Sequence, residues 1–309
     1  MLNQAKKLII QQLWRNYAVD LLAVSRIQTA LQAQYNEVMR WDHFALIDLP
    51  GPYTGIGPLS HLFTQLDYEV CGRDYLAEKQ NDFVWLAERC VETQPAENAL
   101  PQVVVADFRR EALVPEVRKI IDIYACQSKP LDMEHLSHLK KRLLSQDETA
   151  IHELLKVVTH YLQGRDWPLP TVKEFLTVKN SNELLAWVLV MGRQVNHFGL
   201  AIHLSQKFKD LKTFNQFISQ TLDIPLNKKG GAIKGQFEKG IEQSSTAATT
   251  KSILLADGAV DLSDRFIEFV WRHPIVPVNE KPRLWKDYFT GFVANNADNV
   301  VESLYTLST

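Results

Sequence analysis

The segment Trp41-Asp42-His43-Phe44-Ala45-Leu46-Ile47-Asp48-Leu49 sets the architecture of this chain. It follows a long helix-patterned N-terminus, opens a β-type alternation, and stops at the breaker Pro50-Gly51-Pro52. A histidine stands near its start. Two later segments share its character. Val195-Asn196-His197-Phe198-Gly199-Leu200-Ala201-Ile202 is apolar with an embedded histidine, and Arg265-Phe266-Ile267-Glu268-Phe269-Val270-Trp271 is apolar with an embedded carboxylate. Ionisable groups inside apolar strands are expensive unless something pairs with them. One metal ion would satisfy all three, and two histidines with one carboxylate are the ligand set of a non-haem iron site with open positions.

Outward from the first segment, residues 1–38 read as N-terminal helices. Leu8, Ile9, Leu13, Tyr17, Leu21 and Leu22 recur at helical spacing, and Val24, Ile27 and Leu31 continue the stripe. After the Pro50 break, Leu59 to Leu66 reads as a short helix with Pro58 in its first turn. Tyr68–Cys71, Phe83–Ala87 and Gln102–Phe108 follow as strands, the last carrying the β-branched run Val103-Val104-Val105. Strand, helix and three strands make a βαβββ module, so residues 39–110 form a first β-rich half. Residues 111–192 change to helical periodicity and read as an insertion. Residues 193–309 read as a second β-rich half: the His197 strand, a helix through Phe208 to Leu222, strands at Gly235–Ala248 and Ser252–Ala256, the Glu268 strand, and a last helix from about Asn296 to Leu304. The expected fold is α+β, a half-open β-barrel of two βαβββ-type halves within one domain, 1–309.

The bulk numbers fit a soluble enzyme-sized domain. Of 309 residues, 46% are hydrophobic and 23% charged, and the net charge of −2 argues against a nucleic-acid or membrane footprint. Cys71, Cys90 and Cys126 form no close-spaced pair, which argues against a zinc ribbon or disulfide framework and for a reducing, cytoplasmic setting. No apolar run approaches the ~20 residues that cross a bilayer. Phosphate-loop, dinucleotide-binding and nucleophile-elbow motifs are absent from the sequence.

Each ligand candidate taken alone has a plainer reading. A lone strand histidine is commonly a hydrogen-bonded core residue, and Glu268 alone would pair with Arg265, Arg272 or a lysine. The set is what points to a metal. His203 competes with His197, since strand period two puts both on one face. Ser244-Ser245-Thr246 offers hydroxyls for a ligand or for local strand-edge bonds.

Taken together, these segments resemble the 2-oxoadipate dioxygenase/decarboxylase family, similar in outline to the vicinal oxygen chelate superfamily. The matching text is Asp42-His43-Phe44-Ala45, Gly55-Ile56 with Leu59, Tyr68, Lys79, Trp85, Val195-Asn196-His197, Gln243-Ser244-Ser245-Thr246-Ala247, Asp257-Gly258, Phe266-Ile267-Glu268-Phe269, Gly291-Phe292, Asn296-Ala297-Asp298 and Glu302-Ser303. The resemblance implies an Fe(II) site of His43, His197 and Glu268, with Zn, Ni or Mn as alternatives. It also implies use of O₂ to decarboxylate and hydroxylate a 2-oxo acid in lysine catabolism, with Ser245, Thr246 and Asn296 near the substrate. A glyoxalase-like isomerase, lyase or hydrolase on the same scaffold, and a non-enzymatic protein with buried core histidines, stand as the other readings.

Two positions depart from the family pattern. Where relatives carry an arginine four residues after the first histidine, this chain has Ile47, which should line the same pocket as His43. Recognition of a second carboxylate then falls to Arg73, Lys79 or Arg265. Where relatives tend to carry a glutamate, this chain has Asp107, a proton relay or the cap of a turn.

Overall fold

Two N-terminal helices, α1 (Leu2–Ala18) and α2 (Leu22–Tyr35), precede strand β1 (Trp41–Ile47) in the computed structural model, which describes residues 1–277 and 280–294. Of the predicted stripe, Ile9, Leu13, Tyr17, Leu21, Val24, Ile27 and Leu31 are buried, Leu8 is half-buried and Leu22 is exposed, while Ala5 and Ile10 join the buried face of α1. The first half continues as α3 (Ile56–Gln65), β2 (Tyr68–Leu76), β3 (Asn81–Glu88) and β4 (Gln102–Phe108). Then come α4 (Pro115–Ala125), α5 (Met133–Leu144), α6 (Thr149–Tyr161), α7 (Val172–Ser181) and α8 (Glu183–Met191). The second half runs β5 (Val195–Ala201), α9 (Leu211–Gln216), β6 (Lys234–Gln236), β7 (Ile241–Ser245), β8 (Thr250–Leu254), β9 (Ala259–Ser263) and β10 (Ile267–Arg272).

Eight strands form one mixed, curled sheet in the order β2-β3-β4-β1-β5-β10-β7-β6, a half-barrel with helices around it. The order is a near-palindrome. In the first half β1 pairs parallel with β4, the last strand of its βαβββ unit, and in the second half β5 pairs parallel with β10. The halves meet where β1 and β5 pair antiparallel. The β8–β9 hairpin stands apart from this sheet, between β7 and β10 in the chain.

Several details differ from the periodicity-based expectation. β2 continues past Cys71 to Leu76, because pairing with β3 through Leu76 and Asn81 holds polar residues in the ladder. The single strand expected over 235–248 is two, since Gly240 turns the chain at φ +79 where a Cβ would strike the Phe289 ring. The helix expected to reach Leu222 is α9 followed by a π-helical turn over Phe217–Thr221. β9 was not foreseen. The expected helix from Asn296 to Leu304 lies outside the described residues.

Alternation along the central strands produces two different walls. Phe44, Leu46, Phe198, Leu200, Ile267 and Phe269 face one side, where α1, α3, α5 and α6 cover them in one apolar core. His43, Ala45, Ile47, His197, Gly199 and Glu268 face the other. That concave side is closed at one end by α8, buried from Leu184 through Val190 on every side, which explains why its sequence shows no polar face. α1 is tied to the sheet by more than apolar contact. The Tyr17 hydroxyl donates to the Phe266 carbonyl, and Lys6 forms a buried ion pair with Glu88 of β3.

Breaking that ion pair strands one buried charge, so Lys6→Met should lower unfolding free energy by about 3–5 kcal/mol. The double variant Lys6→Met/Glu88→Leu should recover most of the loss, as read from urea midpoints at constant slope.

Candidate metal centre

Register brings the three ligand candidates into one place. Across the sheet, His43 of β1 sits opposite Gly199 of β5, and Gly199 sits opposite Glu268 of β10. Cross-strand partners share a face, so His43 and Glu268 flank a residue with no side chain. A Cβ on Gly199 would lie 2.6 Å from His43 Cε1, closer than real contacts allow. His197 precedes Gly199 by two residues on β5 and points to the same side.

The donor atoms converge. Glu268 Oε2 lies 3.5 Å from His43 Nε2 and 3.2 Å from His197 Nε2, and the three ligand atoms fall within 4.8 Å of one another. Ligand atoms on bonds of 2.0–2.2 Å around one ion stand roughly 3 Å apart, so this spacing suits a shared cation. The opposite edges of both rings are already used. Each Nδ1 donates to the residue just before its own histidine: His43 to Asp42 Oδ1 and His197 to Asn196 Oδ1, both at 2.8 Å. This leaves both Nε2 atoms turned toward Glu268, the arrangement that second-layer partners give metal-bound imidazoles. Glu268 Oε1 accepts from Gln243 Nε2 at 2.7 Å, which turns Oε2 inward. The residues present therefore fit a divalent ion held by two neutral imidazoles and one carboxylate.

Electrostatics agree with that fit. Burial works against a charged His43, but the Glu268 and Asp42 carboxylates outweigh it and push its pKa up to about 9. Burial alone would raise the Glu268 pKa, yet the two imidazoles bring it down to about 2. A positive charge is thus favoured between these side chains, the place a cation would take. Burial lowers the pKa of His197 and keeps it neutral. Asp42 is itself held by Arg272, four residues beyond Glu268 on β10. Arg272 reaches both Asp42 oxygens at 2.7 and 2.9 Å, Gln102 Oε1 at 2.8 Å, and the carbonyls of Phe289 and Gly291 at 3.0 and 2.9 Å. All five N–H groups of the guanidinium are occupied. Phe266 stacks on His197 and Phe292 packs edge-on against His43, with centroids 5.2 and 4.9 Å apart.

The triad opens into a small chamber walled by Ala45, Ile47, Leu76, Phe83, Val104, Ala106, Leu184 and Phe292, with Asn81 and Gln243 as its other polar members. Ile47 lies on that wall, as its spacing from His43 predicts. Other sequence-based candidates lie elsewhere. Arg73 is exposed on the edge strand β2, paired with Val84 rather than Phe83, and so faces away. Arg265 donates to the carbonyls of Asn16 and Tyr17, not to Glu268. Lys79 is buried in the β2–β3 turn beside the chamber, and its carbonyl accepts from Asn182. Ser245 sits opposite Glu268 in register, on the triad's face. The Thr246 hydroxyl accepts from the Ile267 amide, a local strand bond, and Ser244 donates to Asn215. Asn296 lies outside the described residues.

His203 does not share the His197 face. β5 ends at Ala201 and a 3₁₀ turn over Ile202–Leu204 rotates the ring toward Tyr288. Asp107 is the residue after the wall residue Ala106 and faces the other way. Its Oδ2 accepts from the Ile56 amide at the start of α3 at 3.0 Å, so of the two roles weighed for it the geometry is that of the cap. Burial raises its pKa to about 6.

The sequence assigned no site role to Asp42, Asn196, Gly199 or Gln243, and it offered Arg272 as a partner for Glu268, whereas Arg272 binds Asp42. A signal for the first two was present: both histidines follow a short polar residue that can accept a hydrogen bond, in Asp42-His43 and Asn196-His197. Nothing local marked the contacts of Gln243 and Arg272, which reach across to Glu268 and Asp42 on other strands.

Residues 10–302 match the family described as 2-oxoadipate dioxygenase/decarboxylase. The chloroplastic 2-oxoadipate dioxygenase/decarboxylase of Arabidopsis thaliana is 32% identical over 146 residues, 45% of this chain. That match spans only 38% of the relative's length. The chloroplastic/amyloplastic protein of the same description from Oryza sativa subsp. japonica is 25% identical over 276 residues, covering 85% of this chain and 68% of the relative. Among solved structures, hydroxyglutarate synthase from Oryza sativa in complex with 2-oxoadipate superposes with a TM-score of 0.73 at 21% identity, covering 97% of this chain and 91% of that one. A glyoxalase superfamily protein from Ralstonia eutropha JMP134 superposes with a TM-score of 0.68 at 18% identity, covering 86% and 82%. At these identities the two structural likenesses speak for the fold, that of the vicinal oxygen chelate proteins.

Gly199→Ala should displace the His43 ring and weaken Zn(II) or Fe(II) binding by about 10–100-fold in calorimetric titration. Gly57→Ala, where a Cβ meets nothing within 4 Å, is the control that should leave binding unchanged. Asp107→Asn should make the protein more stable near pH 8 than the parent. The folded carboxyl, raised to about 6 against 3.8 for the ordinary group, contributes stability below pH 4 that is lost as pH rises through 6. The difference in melting temperature should vanish near pH 4.

Proposed function

The chain belongs to the 2-oxoadipate dioxygenase/decarboxylase family, and from that premise we propose that it is a mononuclear Fe(II)-dependent dioxygenase that converts a 2-oxo acid to a 2-hydroxy acid. The reaction balances without an outside reductant. R–CH₂–CO–COO⁻ and O₂ give R–CH(OH)–COO⁻ and CO₂. The bond between the carbonyl and the carboxylate breaks, one oxygen atom completes the new carboxylate, and the other hydroxylates the neighbouring methylene. O₂ accepts the four electrons that the organic acid loses.

The observation that carries this reading is the convergence of two Nε2 atoms and one carboxylate oxygen, each turned inward by its own partner. Held by these three side chains, Fe(II) would supply a redox-active Lewis acid for the 2-oxo acid. The chain's own residues do the rest. Asp42 and Asn196 hold the imidazoles in the tautomer that presents Nε2. Gln243 orients Glu268, and its own Oε1 is buried without a hydrogen-bond partner among the described residues. That oxygen is an acceptor for a hydroxyl or water in the chamber. The aromatic and aliphatic walls exclude bulk water, which protects reactive species and strengthens the local electrostatics.

A second reading has support in the fold. The glyoxalase superfamily neighbour makes a redox-neutral isomerase, lyase or hydrolase the alternative, with Zn, Ni or Mn acting only as Lewis acid. Cys71, Cys90 and Cys126 are free and exposed, which supports a reducing compartment such as the cytoplasm. None of the described helices is long and apolar enough to cross a membrane.

Protein reconstituted with Fe(II) should consume O₂ and release CO₂ in a one-to-one ratio with a 2-oxo acid. Glu268→Ala should retain the fold but lose both metal and activity. Turnover that persists under nitrogen with Zn(II) would establish the redox-neutral alternative instead.

A further inference from the structure

We propose that the substrate's side chain is apolar, so that the enzyme takes a monocarboxylic aliphatic 2-oxo acid in preference to a dicarboxylic one. This rests on the 2-oxo acid reading above and narrows it.

The argument comes from the end of the chamber away from the triad. A 2-oxo acid chelated by its keto and carboxylate oxygens must send its remaining carbons along the strands. Ile47 stands four residues beyond His43 on the same face of β1, about 13 Å further along the strand. It is the register partner of Ala106, which is in turn the partner of Phe83, so these three form one row across β1, β4 and β3. Leu76 and Leu184 close the same end. Among the described residues, no cation lines this chamber.

A second carboxylate would have to lie in that row. Burial of an anion without a paired cation costs far more than burial of a methyl group, which the same row stabilises by contact. The arginines near the site are committed elsewhere. Arg272 gives its bonds to Asp42, Gln102 and two carbonyls, and Arg193 lies against Asp48 and Asp166. Asn81, the polar wall residue at this end, donates its amide to the Asp107 carbonyl. Lys79 is buried in the adjoining turn but is not part of the wall, and the test addresses it directly.

A length-matched pair of ligands decides the matter. 2-Oxohexanoate and 2-oxoadipate have six carbons each and differ only in a terminal methyl or carboxylate. Their dissociation constants for the Zn(II)-loaded protein, measured by calorimetry under nitrogen, read the chamber without any turnover. The expected result is tighter binding of 2-oxohexanoate, on the order of 100-fold. The Fe(II) enzyme in air should show the same order in kcat/KM. Ile47→Arg should invert the preference by offering a bidentate partner to the distal carboxylate. If that variant does not fold, Leu76→Lys at the turn end of β2 makes the same test, and the wild-type comparison stands by itself. Equal or tighter binding of 2-oxoadipate overturns the proposal. Loss of that preference in Lys79→Met would then assign the distal charge to Lys79. Binding of neither acid also overturns it. A clear preference for 2-oxohexanoate with no O₂ consumption supports the apolar chamber and strikes only the reaction assigned to it.

Discussion

The antiparallel seam between β1 and β5 is the constraint from which the site follows. It joins two βαβββ halves edge to edge and places His43 beside Gly199. Gly199 in turn pairs with Glu268 of β10. A side chain at that one position would occupy the volume between the first histidine and the carboxylate. The absence of a Cβ is therefore a condition for the donor set to converge, and the glycine's role here is close approach, not backbone freedom.

Convergence of charge in a dry interior has a cost, and the surrounding polar groups show how it is met. Every ligand side chain has a dedicated partner on its outer edge: Asp42 for His43, Asn196 for His197, Gln243 for Glu268. Arg272 then neutralises Asp42 and binds the backbone that carries Phe292 into the chamber wall. Such networks are favourable only when nearly complete, because each unpaired buried charge is expensive. The rigidity that results is what a metal site needs if its ligands are to be in place before the ion arrives.

Membership of the family and the character of this chamber pull in different directions. The family is described by a dicarboxylic substrate, and its relative from Oryza sativa has been solved with 2-oxoadipate. In this chain the position four residues past the first histidine is isoleucine, and its neighbours across the sheet are alanine and phenylalanine. The metal chemistry depends on the triad alone, whereas the choice among 2-oxo acids depends on the far wall. One scaffold can keep the first while changing the second.

Much of this was legible in the sequence. Ionisable residues embedded in three apolar strands are costly without a common partner, and that cost alone pointed to His43, His197 and Glu268. The βαβββ order, the N-terminal helices and the placing of Ile47 beside His43 follow from local periods of 3.6 and 2. What lay beyond reach were the features set by register between distant strands. The row His43–Gly199–Glu268 and the Gln243 and Arg272 contacts depend on such registers, which no local pattern encodes. His203 shows the same limit. By periodicity it shares the face of His197, but the strand ends at Ala201 and the chain turns. Asp107 likewise borders the chamber in sequence yet caps α3, because neighbours on a strand point to opposite faces. Periodicity thus determined which residues lie inside. Only the tertiary fold decided which of them meet, since side chains hundreds of residues apart touch through backbone pairing and not through spacing along the chain.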